Sequence, residues 1–105
     1  MTTFSERVVK LALSIPAGRV TTYGRIARAA GRGGQSARSV SGILGRAYGS
    51  GIDGIPFHRI VYSNGRIWID DAYINERMKL YKKEGIEINR KGNIIDFNKI
   101  LFKFN

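Results

Sequence analysis

The chain has no cysteine, which removes thiolate nucleophiles, disulfide frameworks and the usual Cys/His zinc sites together. Histidine occurs once, as His58, and one imidazole does not build a metal site. No metal and no cofactor is expected. Acidic side chains are scarce, eight against 18 lysines and arginines, and proline occurs only as Pro16 and Pro56. No apolar run approaches the ~20 residues that span a bilayer, and the start of the chain lacks a basic-then-apolar leader pattern. Nor does any segment pair a basic face with a strongly hydrophobic one, as a membrane-surface helix would. The expected location is the cytoplasm, on the nucleoid if the source is prokaryotic, with no membrane partner.

With 105 residues, 43% of them hydrophobic, the chain has material for one modest core. We expect a single domain over 1–105, with a monomer as the simplest state. The positive charge is unevenly placed. Up to Ile52 there are eight basic residues against Glu6 alone, net +7; the remainder has ten basic and seven acidic residues, net +3. The stretch from Arg7 to Ile52 is rich in arginine and free of acids. That is the footprint of a polyanion-binding surface, because guanidinium matches phosphate geometry and each contact releases counterions.

Thr3-Phe4-Ser5-Glu6 fits a capping box, and Phe4, Val8, Leu11 and Ile15 follow at helical spacing, predicting a core-facing first helix. After Pro16-Ala17-Gly18, Thr21 or Thr22 caps a second short helix that buries Ile26, Ala27 and Ala30 and closes at Gly31. Gln35 or Ser36 opens a third helix running to about Tyr48. Two short helices joined by a glycine turn in a basic context form a helix-turn-helix pattern. The third helix turns Val40, Ile43, Leu44 and Ala47 toward the core and carries Arg38, Ser41, Gly42 and Gly45 on its other side. Glycine inside a helix costs ~1 kcal/mol relative to alanine, so this small face asks for a close neighbour.

Ile60-Val61-Tyr62 and Arg66-Ile67-Trp68-Ile69 favour β structure and flank Ser63-Asn64-Gly65, a hairpin signal. A hairpin after a helix-turn-helix is a wing, so the expected class is mainly α with a small β-hairpin, a winged helix-turn-helix. Asp70 or Asp71 would cap a fourth helix in which Tyr73, Arg77, Leu80 and also Ile74, Met78, Tyr81 recur at helical spacing, with Lys82 and Lys83 at its negative end and Gly85 stopping it. Ile86-Glu87-Ile88 and Ile94-Ile95-Asp96 suggest a second extended pair. The terminal Phe97, Ile100, Leu101, Phe102 and Phe104 should fold back on the core. Between the third helix and the hairpin lies Ile55-Pro56-Phe57-His58-Arg59. Proline, ring and histidine at a strand entrance fit packing as well as chemistry.

Four pieces in order resemble the O6-alkylguanine-DNA alkyltransferases, and within them the alkyltransferase-like proteins. They are Ile15-Pro16-Ala17-Gly18-Arg19-Val20-Thr21-Thr22-Tyr23-Gly24, then Ala37-Arg38-Ser39-Val40, then Ile55 to Val61, and finally Glu84-Gly85-Ile86. In true alkyltransferases the third residue of Ile-Pro-Cys-His-Arg is the cysteine that takes the alkyl group. Here it is Phe57, which offers no lone pair for transfer. The nonenzymatic branch usually carries tryptophan at that place, so phenylalanine is a departure.

The resemblance implies a protein without catalytic residues that binds O6-alkylguanine in duplex DNA. It would flip the base into a pocket and flag it for nucleotide excision repair proteins. It assigns DNA contacts to Tyr23, at the target phosphate, to Ser36, Ala37 and Arg38, the last filling the vacated stack, and to Ser41, Gly42 and Gly45. The implied lesion pocket is Leu44, Pro56, Phe57, His58, Ile67, Trp68 and Asp70, the last standing where the family has a tyrosine. Arg66 is a candidate lesion sensor. His58 and Glu84 match the pair that activates the cysteine and remain as a relay without a nucleophile. The alternative is a winged-helix transcription regulator without lesion specificity, which would leave Phe57-His58 and the glycine face unexplained.

Overall fold

The computed structural model describes residues 3–33, 36–68 and 72–104. Helix α1 spans Phe4–Leu13, and its cap is Thr3, whose hydroxyl oxygen accepts from the Glu6 N–H at 3.1 Å. The capping box is incomplete: the Glu6 carboxylate accepts from the Thr3 hydroxyl at 3.2 Å. Phe4, Val8 and Ala12 are the buried residues of α1; Leu11 is only partly buried, and Ile15 is buried just past the helix end.

Strand β1 (Thr21–Thr22) runs directly into α2 (Tyr23–Ala29), where the Thr22 hydroxyl accepts from the Arg25 N–H. Helix α3 spans Ala37–Gly49; Ser36 precedes it without a side-chain cap bond, and Gln35 lies outside the described residues. The end of α3 is a Schellman motif: the Ile52 N–H donates to Ala47 O and the Gly51 N–H to Tyr48 O, with Gly51 at φ 100. That conformation favours glycine and holds the last turn of α3 in place. The same bond pattern closes α2 at Gly31.

Helices α1, α2 and α3 pack around one apolar cluster that includes Phe4, Val8, Ile26, Val40, Leu44 and Ile60. A second cluster gathers Val20, Val61, Ile67, Tyr81, Ile86 and Ile94. The strand β2 (Ile60–Val61) stands between them, sending Ile60 to one cluster and Val61 to the other, as the two-residue period of a strand requires.

Among the described residues the fold is mostly helical, with one two-stranded sheet, and that sheet is parallel: Thr21 pairs with Ile60 and Thr22 with Val61. The expected hairpin is therefore corrected in its pairing. Its Ser63-Asn64-Gly65 turn forms, with the Gly65 N–H donating to Tyr62 O and the Tyr62 N–H to Arg66 O. Beyond that the second limb pairs elsewhere, Arg66 bridging to Asn93 and the Ile67 N–H donating to Gly92 O. The extended pair around 89–93 is present as an Ile88–Ile94 bridge. Val20 bridges to Leu101, which ties the chain's end to the start of β1, and Phe102 and Phe104 pack on the first cluster.

Gly65 is needed twice over. Its φ is 81, and an added Cβ would lie 2.9 Å from Cγ of Phe97, close to that ring's root rather than at a flexible tip. We expect Gly65→Ala to destabilise the protein by about 2–3 kcal/mol, combining left-handed strain with overpacking, as read by urea denaturation. A change within about 0.5 kcal/mol would show that Phe97 does not anchor this turn.

Helix α4 spans Ile74–Glu84, and Gly85 at φ 75 ends it. Its expected caps, Asp70 and Asp71, lie outside the described residues. Of its residues at helical spacing only Tyr81 is buried and Ile74 partly so, while Tyr73, Met78 and Leu80 are exposed. A final short helix, α5, spans Phe97–Ile100. No helix among the described residues is long and apolar enough to cross a membrane.

Candidate nucleic-acid interface

Among the described residues nothing packs on the outward face of α3 closely enough to require it to be small. A Cβ at Gly45 would meet nothing within 4 Å, and one at Gly42 would meet only the Arg46 side chain. The helix thus accepts the propensity cost of two glycines without using them for its own packing. Alongside this face runs a groove of about 720 Å³ lined by Tyr23, Arg28, Ala37, Arg38, Ser41, Tyr62 and Trp68 among others. Tyr23, Ala37, Arg38 and Ser41, assigned from sequence, do come together there. Ser36 does not line that groove, and Gly42 lies exposed beside it.

Tyr23 is half-buried against Tyr62, ring centroids 6.1 Å apart. Burial and then the Tyr62 hydroxyl push its pKa up, against the opposing pull of Arg77. Its hydroxyl therefore keeps its proton at neutral pH and is available to donate to an anionic oxygen.

Several arginines from the basic stretch serve the fold instead. Arg7 Nε donates to Ala30 O at 2.8 Å, the Arg32 guanidinium sits 4.2 Å from the Phe4 ring centroid, and Arg19 donates to Lys99 O. Arg28 and Arg38 are the ones that line the groove.

Phe57 is presented by a sharp reversal. Pro56, at φ −84 and ψ 70, has the geometry of an inverse γ-turn, and the Phe57 N–H donates to Ile55 O at 3.0 Å. A 3-10 turn over Phe57–Arg59 follows. The partly buried Phe57 ring meets Tyr48 edge-to-face at 6.0 Å.

Both rings line a cleft of about 450 Å³ completed by Gly45, Ile55, His58, Trp68, Tyr73, Glu76, Arg77 and Leu80. Trp68 belongs to the groove as well, so it is a wall common to the two cavities. Its indole is contacted by Arg77, whose guanidinium lies 4.9 Å from the ring centroid and donates to Trp68 O.

The cleft corrects part of the pocket expected from sequence. Phe57, His58 and Trp68 line it. Leu44 and Ile67 do not: they are 0% and 2% exposed in the first and second apolar clusters. Pro56 is buried and makes the turn rather than a wall, and Asp70 lies outside the described residues. Arg66 lines a further depression with Tyr62, Ser63, Asn64, Ile67 and Trp68; Phe57 is not part of that lining. Tyr48, Tyr73, Arg77 and Leu80 are wall residues that sequence reasoning missed. The stripe Tyr73, Arg77, Leu80 is visible in the sequence as a periodicity, which does not say what it faces.

Behind Phe57, the Glu84 carboxylate gathers three segments. It bonds His58 Nε2 at 2.6 Å, Arg59 Nη2 at 2.8 Å and the Gly18 N–H at 2.9 Å, while Arg59 Nη1 donates to Ile15 O. Burial pushes the Glu84 pKa up, but the hydrogen bonds from Arg59, Gly18 and His58 outweigh it and bring it down to about 2. The Tyr81 hydroxyl donates to His58 O at 2.6 Å, and its ring meets the imidazole edge-on at 5.8 Å. The expected His58–Glu84 link is present, with both side chains buried. Among the described residues no group of three His, Asp or Glu side chains is placed to hold a metal ion.

A helix-turn-helix with an open-faced third helix, an arginine-bearing groove and an adjoining aromatic cleft defines a DNA-binding module of the alkyltransferase type. The chain belongs to the family described as "6-O-methylguanine DNA methyltransferase, DNA binding domain", whose model matches residues 3–86.

It is similar to the "DNA base-flipping protein" of Escherichia coli (strain K12), 33% identical over 91 residues, 87% of this chain and 68% of that protein. It is equally similar to the protein of the same description from Vibrio parahaemolyticus, 33% over 96 residues, 90% and 91% of the two chains. Among solved structures, S. pombe Atl1 in complex with damaged DNA containing O6-carboxymethylguanine is 27% identical, with a TM-score of 0.76 over 99% of this chain and 100% of that one. The Mycobacterium tuberculosis O6-methylguanine methyltransferase is 31% identical with a TM-score of 0.60, covering 80% of this chain and 49% of that one. These likenesses identify an alkyltransferase-like protein.

Proposed function

We propose that this protein binds O6-alkylguanine in duplex DNA, turns the damaged base out of the stack and holds it, without removing the alkyl group, as a signal for nucleotide excision repair. The observation that carries the reading is the shared wall at Trp68: a groove bearing Tyr23 and Arg38 adjoins a cleft bearing Phe57. The small face of α3 suits the minor groove, which is only ~6 Å wide. Tyr23 donates to the phosphate of the target nucleotide, and Arg38 occupies the gap the base leaves. Extrusion costs a few kcal/mol, and stacking on one aromatic ring returns about 1–3 kcal/mol, so Phe57 needs these partners.

The relatives named for base flipping, and Atl1 with its damaged DNA, support the same reading. Absence of transfer rests on chemistry: with no cysteine in the chain, the His58–Glu84 pair has no thiol to activate. The pair instead braces the turn that carries Phe57. A monomer in the cytoplasm completes the proposal.

Affinity for short duplexes with guanine or O6-methylguanine at one position, measured across salt concentrations, tests it. We expect tighter binding to the lesion, a common salt slope of about −0.9 per neutralised phosphate, and an intact methyl group after prolonged incubation. Equal affinities would favour a transcription regulator, and loss of the methyl group would overturn the noncatalytic reading.

A further inference from the structure

Three rings around the Phe57 cleft stand in solvent: Tyr48 is 66% exposed, Tyr73 55% and Trp68 45%. Large aromatic surface left outside both apolar clusters, but collected around one cavity, marks a place where a flat apolar ligand is received. Tyr48 differs from the other two in the element that carries it. It projects from the last turn of α3, at the edge of the face that holds Arg38, Ser41 and Gly45, and the Schellman bonds from Gly51 and Ile52 fix that turn. The helix laid against DNA thus also supplies one wall of the cleft.

The Tyr48 and Phe57 rings meet at 76°, forming two walls of a corner. A purine lying flat on Phe57 turns one edge toward Tyr48. Against an aromatic face, an unmodified O6 loses its hydrogen bonds to water and gains no donor, whereas an alkylated O6 presents C–H groups. Taking the lesion-binding reading above as its basis, we infer that Tyr48 is a specificity-determining residue, the wall met by the O6 substituent. The ligand class it selects is apolar or aromatic alkyl groups, and its contribution grows with the apolar area of the substituent.

The test compares wild type, Tyr48→Ala and Tyr48→Phe on duplexes carrying guanine, O6-methylguanine or O6-benzylguanine. With Tyr48 mostly exposed, both variants should fold, which circular dichroism verifies. We expect Tyr48→Ala to lose about 3–10-fold in affinity for the methyl lesion, a larger factor for the benzyl lesion, and nothing for guanine; Tyr48→Phe should bind all three as wild type does. A loss that does not grow from methyl to benzyl, or that appears equally with guanine, overturns the assignment. Wild-type protein that fails to prefer either lesion instead overturns the lesion-binding reading itself, so the two failures are told apart by the wild-type row alone.

Discussion

Glu84→Ala is expected to lower stability by about 3–5 kcal/mol at neutral pH, the range for removing one partner of a buried ion pair. The Glu84 side chain is 6% exposed and accepts from His58, from Arg59 and from the Gly18 N–H. Its removal leaves a guanidinium and a backbone donor without their acceptor inside the junction of the β1 approach, the Phe57–Arg59 turn and α4.

The pH dependence gives an independent check. The folded-state pKa, about 2, lies below the ordinary 4.5, so the charged form is favoured by folding. The stabilisation is fully present above about pH 4.5 and is lost as pH falls through 2, amounting to roughly 3 kcal/mol across that window. Urea denaturation of wild type and Glu84→Gln at pH 7, 4.5 and 2.5 reads both effects. Wild type should lose this increment on acidification and Glu84→Gln should not. Parallel pH profiles would show that the carboxylate does not hold the junction.

What was legible in the sequence was what is decided within a few residues. Thr3 and Thr22 accept the bonds their positions promised, Gly31 and Gly85 end helices, and Asn64-Gly65 makes a turn. The helix-turn-helix follows from such local signals, because helices satisfy their hydrogen bonds within themselves. Strand partners do not follow. The run Ile60-Val61-Tyr62 is β-favouring whichever strand lies beside it, and it pairs with Thr21–Thr22 across nearly forty intervening residues. Alternation reports faces, not neighbours.

The pocket errors have a different origin. Leu44 falls at core spacing with Val40 and Ala47 on α3, and the structure agrees; only its assignment by resemblance placed it in the pocket. Ile67 and Trp68 are adjacent, but Ile67 is buried in the second cluster and only Trp68 reaches the cleft that holds Phe57. Tyr73, Arg77 and Leu80 form a true helical stripe, but periodicity cannot tell a stripe covered by core from one facing a cavity.

Arg38→Ala is expected to cost about 10–100-fold in affinity for an O6-methylguanine duplex and to abolish the signal of a fluorescent base analogue placed beside the lesion. Arg38 is exposed near the start of α3 and lines the groove with Tyr23 and Trp68, so the fold should change by no more than about 0.5 kcal/mol. Its proposed task has two parts, and they separate by substitution. Charge attracts phosphate and acts on any duplex; the planar guanidinium also fills the gap and stacks where the base stood. Arg38→Lys keeps the charge without the plane. It should bind unmodified DNA nearly as wild type does, with the same salt slope, yet fail to sustain extrusion. Were Arg38→Lys to flip the base as wild type does, the gap would be held by charge alone. Were Arg38→Ala to leave the fluorescence unchanged, the few kcal/mol for extrusion would have to come from the cleft, with Phe57 and its neighbours Tyr48 and Trp68 supplying it together.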